Sequence, residues 1–184
     1  GPIERNFGRA PVRLNPTSDG EVVWGRRLDP VRTRIENVPY ASSGFRHLDV
    51  VLHDGAPNGT RISNGREYAV FDVLELFEAS AYHTYEARAV VADAAELKSL
   101  EALCDSLGVA FEDWTRSVRV LCRACSEGRA HDHHDTETTD PPWNPERHLA
   151  FAATSDDALD EVLGKHRADG GSALEYERTL DAGD

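Results

Sequence analysis

Residues 84–108 read TYEARAVVADAAELKSLEALCDSLG, and this segment changes from a strand period to a helix period within about ten residues. Its first part alternates Tyr85, Ala87 and Ala89 with polar side chains, which is the pattern of a half-buried strand. Asp93 and Glu96 then form a capping-box pair at the start of a helix. The apolar residues that follow have helical spacing; they are Leu97, Leu100, Leu103, Cys104 and Leu107. The segment therefore predicts a strand followed by an amphipathic helix.

The rest of the second half predicts the same order again. Residues 117–123 are typical of a strand, residues 126–145 of a polar exposed loop, and residues 148–154 of a strand with Leu149 and Phe151 facing inward. A second helix follows, and a last strand covers residues 173–180. A β-α-β, loop, β-α-β order is that of the ferredoxin-like, or split βαβ, fold. We expect the loop to be exposed, because its acidic and proline-rich composition offers little apolar surface to bury.

The first half has a different rhythm. Residues 1–20 are rich in proline and glycine and predict an irregular lead-in. Four or five short strands follow in residues 21–80, separated by turn residues such as Asp54 to Gly59, and they favour a small β-barrel-like lobe. The sequence thus predicts an α+β protein: a barrel-like lobe at 21–80 packed on a ferredoxin-like lobe at 83–184, with its polar loop at 126–145.

Short motifs along this order resemble a known family. They are Glu21-Val22-Val23-Trp24, Asn37-Val38-Pro39-Tyr40, Leu48-Asp49-Val50-Val51, Ser80-Ala81-Tyr82-His83-Thr84 and Leu174-Glu175-Tyr176-Glu177. In that order they resemble the bacterial and archaeal proteins grouped as domain of unknown function 4265. Leu48 stands where that family usually has glycine, and Tyr82 is a second departure from its pattern. The resemblance spans residues 21–180 and implies no chemistry, because the family has no assigned activity.

The charge balance of the chain is strongly acidic. Thirty-three Asp and Glu oppose twenty Lys and Arg, and only two of those bases, Lys98 and Lys165, are lysine. Two explanations can account for the scarcity of lysine: a codon effect of GC-rich genomes, which replaces lysine by arginine, or adaptation to high salt. Because scarce lysine occurs together with an acidic composition, we favour adaptation to high salt and interpret the chain as halophile-like. The net charge of −13 argues against nucleic acid and anionic membranes as partners and leaves a protein or a small ligand.

We expect the stability of the protein to rise with salt. At low ionic strength the excess carboxylates repel one another, whereas at about 1 M salt the screening length is only about 3 Å. The midpoint of thermal unfolding should therefore be higher in molar KCl than in dilute buffer. An unchanged or lower midpoint in KCl would contradict the halophile interpretation.

The sequence shows no signal for export or membrane insertion. No apolar run is long enough for a transmembrane helix, and the first residues lack the order of a signal peptide. The chain has only three cysteines, and an odd number cannot all pair with one another in disulfides. This cysteine count favours a reducing compartment over a disulfide scaffold. The sequence therefore predicts a cytoplasmic protein. The chain has no methionine, so Gly1-Pro2 is interpreted as the scar of a removed tag, and a removed presequence is compatible with it.

One group of residues has the composition of a metal site. Cys122 and Cys125 are followed by His131, His133 and His134, and two thiolates with two imidazoles can complete a tetrahedral Zn²⁺ site. However, residues three apart on a strand point to opposite faces, so the chain would have to turn near Cys125. The other interpretation is a core cysteine, a strand-end cysteine and a solvated loop. We favour the loop and keep Zn²⁺ as the alternative.

A ligand site is predicted where the two lobes meet. Trp24, Tyr40, Tyr82 and His83 would line that cleft, and His83 could act as a general base or as a structural histidine. The chain has no phosphate-binding loop, no dinucleotide fingerprint, no nucleophile elbow and no zinc-protease motif. We therefore predict a non-catalytic binding or protein-interaction module with no assigned catalytic residue. The alternative is a metal-assisted hydrolase or other enzyme that uses the Cys/His loop or His83.

Overall fold

The computed structural model describes residues 7–18, 20–115 and 143–183. These residues contain nine strands, two α-helices and a short 3₁₀ turn at Ala41–Ser43, and nearly all strand pairs are antiparallel. The predicted α+β class is therefore confirmed. The described residues divide into two compact units, residues 7–80 and residues 81–115 with 143–183.

The first unit is one five-stranded sheet. Its strands are β1 (Arg9–Leu14), β2 (Glu21–Arg27), β3 (Arg32–Ile35), β4 (Val50–Ser63) and β5 (Arg66–Glu78). Each strand pairs antiparallel with the next, and β1 also pairs with β5 in parallel through Val12 and Arg13, which closes the sheet. The side chains that fill its interior alternate along the strands; they are Ala10, Val12, Leu14, Val23, Ile35, Val51, Phe71 and Val73. The opposite side chains of these strands point away from this interior, and some of them, such as Val22 and Val70, are buried as well.

Two features of this sheet differ from the sequence prediction. Strand β1 lies within residues 1–20, for which the prolines predicted irregular chain. Pro11 is accommodated because the strand pairs with β5 at only two positions, Val12 and Arg13. Strand β4 runs through the predicted turn at residues 54–59, where register shifts between His53 and Thr60 absorb the turn-forming residues.

His53 is a buried histidine in β4 whose ring is held in one tautomer. Its Nδ1 accepts the backbone N–H of Gly55 at 3.1 Å, so the proton sits on Nε2 and is donated to Thr33 Oγ1 at 3.2 Å. Burial lowers the pKa of His53, and the charge of Arg27 lowers it further. A second ring proton would also face the N–H of Gly55. The folded protein therefore prefers neutral His53.

This preference makes stability depend on pH. The unfolded chain gains a proton at His53 below about pH 6.5, while the folded chain does not until its lowered pKa is reached. The free energy of unfolding should therefore fall as pH drops from about 6.5, and His53→Gln should flatten that slope, because glutamine keeps a donor for Thr33 but does not titrate. Urea unfolding of both proteins between about pH 7.5 and 5 measures the difference. Equal slopes would contradict the assignment.

The second unit is a four-stranded antiparallel sheet with two helices. In chain order it contains β6 (His83–Val90), α1 (Ala94–Ser106), β7 (Ala110–Asp113), β8 (Glu146–Ala153), α2 (Asp156–Ala168) and β9 (Glu175–Leu180). The strand order across the sheet is β7-β8-β6-β9. One sheet face packs against the apolar sides of both helices; its buried members include Tyr85, Ala87, Leu149, Phe151, Leu100, Cys104, Leu159 and Val162. The predicted inward faces of β6 and β8 are therefore confirmed.

Both helices begin at a capping residue, and α1 begins where Asp93 and Glu96 predict. The Asp93 carboxylate accepts the N–H groups of Ala95 and Glu96 at 2.9 Å each, and Glu96 reaches back to the N–H of Ala92 at 2.7 Å. Ser155 caps α2 by accepting the N–H of Ala158 at 3.2 Å. These contacts satisfy backbone donors that have no partner within the helix.

The strand after α1 lies earlier than predicted. It is β7 at Ala110–Asp113, directly after the helix, whereas the predicted strand at 117–123 lies outside the described residues. Among the described residues, no helix is long and apolar enough to cross a membrane.

Candidate functional site

The four residues predicted to form a ligand site belong to both units. Trp24 lies on β2 and Tyr40 precedes the 3₁₀ turn of the first unit, whereas Tyr82 and His83 lie at the start of the second unit. The backbone N–H of Tyr40 donates to the carboxylate of the buried Glu21 at 3.1 Å. That the four residues meet in one cleft remains a prediction.

His83 has a structural contact at the ring nitrogen that a general base would use. Its Nδ1 accepts the backbone N–H of Ala182 at 2.9 Å, which leaves the proton on Nε2. The nearby Asp181 carboxylate lies 3.6 Å from the same nitrogen, and its side chain is 79% exposed. The ring therefore ties β6 to the chain end after β9, and this contact favours the structural role over the catalytic one.

Trp24 lies in an aromatic and basic environment on the outer surface of the first unit. Its ring meets the Tyr68 ring edge-on, with centroids 4.8 Å apart and an interplanar angle of 89°. The Arg9 and Arg61 guanidinium groups lie 5.7 and 5.6 Å from the centroid of Trp24, and Arg66 lies 5.3 Å from that of Tyr68. Both rings are half-buried, so part of each remains accessible to solvent.

The strand register adds a row of arginines beside Trp24. Arg26 lies two residues after Trp24 on β2 and therefore on the same face. Arg26 is paired directly with Arg9 of β1 and with Arg34 of β3, so three guanidinium side chains lie side by side across three strands. We call the whole group the Trp24 surface; it consists of Trp24, Tyr68, Arg9, Arg26, Arg34, Arg61 and Arg66.

One carboxylate partly neutralises this surface. Glu36 pairs with Arg9 at 2.5 Å and with Arg26 at 3.1 Å, and its side chain is 23% exposed. Arg9 and Arg26 remain 56% and 55% exposed, so their guanidinium groups also face water. The row Arg9, Arg26 and Arg34 therefore holds three positive charges beside the one carboxylate of Glu36.

The charge of the chain is divided unevenly between its two halves. Residues 1–80 hold ten arginines against eleven Asp and Glu, a formal charge of −1. Residues 81–184 hold ten bases against twenty-two acids, a formal charge of −12. Nearly all of the acidity therefore belongs to the second half. This division was visible in the sequence and could have indicated the basic surface, whereas the arginine row depends on strand register.

The second unit has a depression of mixed charge on the sheet face opposite the helices. Its volume is about 360 Å³, and Glu86, Arg88, His148, Glu175 and Glu177 contribute to its lining. His148 Nε2 and Glu86 Oε2 are 2.9 Å apart, and the Trp114 ring packs edge-on against His148. Three carboxylates, Arg88 and His148 line this depression, and its geometry indicates no particular ligand.

The predicted metal site consists of two cysteines and three histidines. Cys122, Cys125, His131, His133 and His134 all lie outside the described residues. Within residues 7–18, 20–115 and 143–183, no group of three His, Cys, Asp or Glu side chains is arranged to hold a metal ion. The Zn²⁺ alternative therefore remains a prediction about the remaining part of the chain.

Comparisons with known proteins show little similarity. No protein-family model matches the chain, and no curated protein matches it. Among solved structures, the chain is similar to a hypothetical protein from Neisseria gonorrhoeae, with 12% identity, a TM-score of 0.42 and coverage of 98% of this chain and 99% of that one. A similarity at this level supports no argument about fold or function, and the resemblance to domain of unknown function 4265 stays a prediction.

Proposed function

We propose that the protein is a non-catalytic binding module that recognises an anionic ligand through the Trp24 surface. The observation that carries this proposal is the row Arg9–Arg26–Arg34, which lies beside the Trp24–Tyr68 ring pair. Arginine presents a planar fork of N–H donors that fits phosphate and carboxylate groups bidentately. Several such forks on one face of a rigid sheet form a surface to which an anion can bind without ordering a loop.

The three arginines of the row repel one another when no anion is bound, and this repulsion destabilises the sheet. Like charges directly opposite each other on neighbouring strands destabilise a sheet. Glu36 bridges Arg9 and Arg26, but Arg34 is exposed at the end of the row and its neighbour across β4 is Val50. An anionic ligand would relieve this repulsion, and this is the physical reason to assign the row a binding role.

The enzymatic alternative has less support in the described residues. His83 uses Nδ1 as an acceptor for a backbone N–H, which is a structural arrangement. The other candidate for a metal-assisted hydrolase is the loop with Cys122, Cys125 and His131–His134. This loop lies outside the described residues. A binding function needs only the exposed arginines and rings that the first unit provides.

We also propose a finer description of the fold and its family. The strand order β7-β8-β6-β9 with two crossover helices supports a ferredoxin-like second unit, and the β1–β5 pairing supports a small β-barrel as the first. The motif order in residues 21–180 supports membership of domain of unknown function 4265. The scarcity of lysine supports a halophile, and scarce cysteines support a cytoplasmic location.

We expect the Trp24 surface to bind inorganic polyphosphate, and to lose that binding when the row is shortened. Each charge-assisted hydrogen bond contributes about 1.5–3 kcal/mol, so Arg26→Thr and Arg34→Thr should each weaken binding by about tenfold or more. Threonine is chosen because it is compatible with a strand. Competition with a labelled polyanion in dilute buffer measures the affinity.

Arg88→Thr is the matched control for this experiment. Arg88 is also an exposed strand arginine, but it lies on β6 of the acidic second unit. This variant should bind as the unchanged protein does. Equal losses in all three variants, or no binding of polyphosphate by the unchanged protein, would contradict the proposed function.

A further inference from the structure

We propose that the anionic ligand of the Trp24 surface is single-stranded nucleic acid, with bases stacked on Trp24 and Tyr68 and phosphates paired with the arginines. This inference rests on the proposed function and names the partner of the same site. Proteins that bind single strands combine a basic surface along the backbone with aromatic rings on which the bases stack. The Trp24 surface has both parts on neighbouring strands of one sheet.

The rings are the reason to infer bases rather than phosphate alone. A site for phosphate needs guanidinium groups and no aromatic partner, yet Trp24 and Tyr68 lie in ring contact at the centre of the arginines. The guanidinium groups lie over the rings at 5.3–5.7 Å from the centroids, so a base that stacks there has to displace them, and the displaced arginines stay close enough to pair with its phosphates. An acidic protein would pair with the arginines equally well but would offer no planar group to replace them over the rings.

A single strand fits this surface better than a duplex. Bases inside a duplex are stacked on each other, so their faces are closed to Trp24 and Tyr68. Sequence readout of a duplex usually places a helix or a two-stranded ribbon into a groove. The Trp24 surface instead spreads over β1, β2 and β3 and the paired ends of β4 and β5. Unstacked bases can reach such an open sheet surface.

The net charge of −13 predicted that nucleic acid is not a partner, and the charge division changes that interpretation. Residues 1–80 carry a formal charge of only −1, and the exposed arginines are concentrated on one of their faces. Repulsion from the acidic half decays over about 8–10 Å at ordinary ionic strength. The whole-chain charge therefore describes the second half and does not describe the Trp24 surface.

The experiment compares ligands of equal charge that differ only in their bases. The full chain is titrated with a labelled thymidine oligonucleotide and with an abasic oligonucleotide of the same length, at several salt concentrations. Anisotropy gives the affinity, and tryptophan fluorescence reports stacking. Stacking on each ring should tighten binding about five- to 150-fold over the abasic strand. Affinity for both strands should fall with salt, with a logarithmic slope of about −0.7 per phosphate contact.

Two variants connect the signal to the rings. Trp24→Leu should remove the fluorescence quench that base stacking causes, and should bring the thymidine affinity towards the abasic affinity of the same variant. Trp143→Phe is the matched control, because Trp143 belongs to the second unit and stacks on Arg147 at 3.8 Å. This variant should keep both the quench and the affinity. Circular dichroism and the midpoint of thermal unfolding show independently whether Trp24→Leu is folded.

The other possible results distinguish a failure of this inference from a failure of the proposed function. Equal affinity for the thymidine and abasic strands would overturn this inference and leave the proposed anion binding intact. Equal or tighter binding of a duplex of the same length would overturn the single-strand assignment. Equal or tighter binding of polyglutamate would replace nucleic acid by an acidic protein. Failure to bind both strands and polyphosphate would overturn the proposed function together with this inference.

Discussion

Replacing Leu100 by alanine is expected to lower the free energy of unfolding by about 2–5 kcal/mol. Leu100 lies on α1 with 1% of its surface exposed, and it packs in the core formed by the two helices and one face of the β6–β9 sheet. Alanine removes three carbon atoms from a site surrounded by fixed strands and leaves a cavity that the neighbours fill only in part. Urea denaturation followed by circular dichroism measures the loss.

Leu103→Ala provides a control on the same helix. The spacing of apolar residues predicts that Leu100 and Leu103 are equivalent, but Leu103 is only half-buried. Its side chain already meets water on one side, so the same truncation should cost clearly less than at Leu100. Equal losses at both positions, or a loss below about 1 kcal/mol at Leu100, would show that α1 is wrongly placed on the sheet.

The second half of the fold could be predicted because its signals are local. Burial of one strand face imposes a period of two on Tyr85, Ala87 and Ala89, and burial of one helix face imposes helical spacing on Leu97 to Leu107. The capping pair Asp93 and Glu96 marks the change between them. These constraints act between residues close in sequence, so they can be read without knowing the partner elements.

Strands that depend on distant partners could not be predicted in the same way. Ala10, Val12 and Leu14 do alternate, but the prolines at positions 11 and 16 conceal the pattern. Their strand exists because β2 and β5 supply hydrogen bonds on both sides. Similarly, the turn-like residues 54–59 remain in β4 because β5 pairs with them across several register shifts.

The candidate site was predicted only in part, for a related reason. Trp24 was identified as a ligand residue, but its aromatic partner Tyr68 is forty-four positions away in the chain. Arg9, Arg26 and Arg34 are likewise separated in sequence and become neighbours only through the register of three strands. Composition alone gave a whole-chain charge, which averages a basic surface with an acidic unit. Functional surfaces on sheets are assembled by register, and register is set by tertiary pairing.

A second large loss in the free energy of unfolding is expected for a substitution at Gly171, in the turn after α2. Gly171 lies against the buried ring of His166, and a Cβ at this position would fall 2.3 Å from His166 Cε1 and Nε2. Gly171→Ala therefore has to push the ring out of its site, and such overpacking costs about 1–3 kcal/mol. Denaturant unfolding of the variant measures the loss.

Displacing the His166 ring should also weaken other contacts, because His166 is part of a contact between the two helices. His166 Nε2 lies 3.3 Å from Glu96 Oε1, and Glu96 also accepts the N–H groups of Ala92 at 2.7 Å and Ser172 at 2.6 Å. Burial alone would raise the pKa of Glu96, but these N–H donors and His166 outweigh it and lower the pKa. Ionised Glu96 thus stabilises the fold above about pH 4.5, and that contribution is lost as pH falls further.

Two further variants separate the steric clash from a general effect of substitution. Gly164 lies within α2 in open space, so Gly164→Ala should stabilise the protein by about 0.5–1 kcal/mol, the opposite sign for the same change. In a His166→Ala background the ring is absent, and Gly171→Ala should then cost almost nothing. The double-mutant cycle therefore predicts a coupling energy close to the full cost of Gly171→Ala. If Gly171→Ala destabilised both backgrounds equally, the contact between Gly171 and the His166 ring would not be the cause.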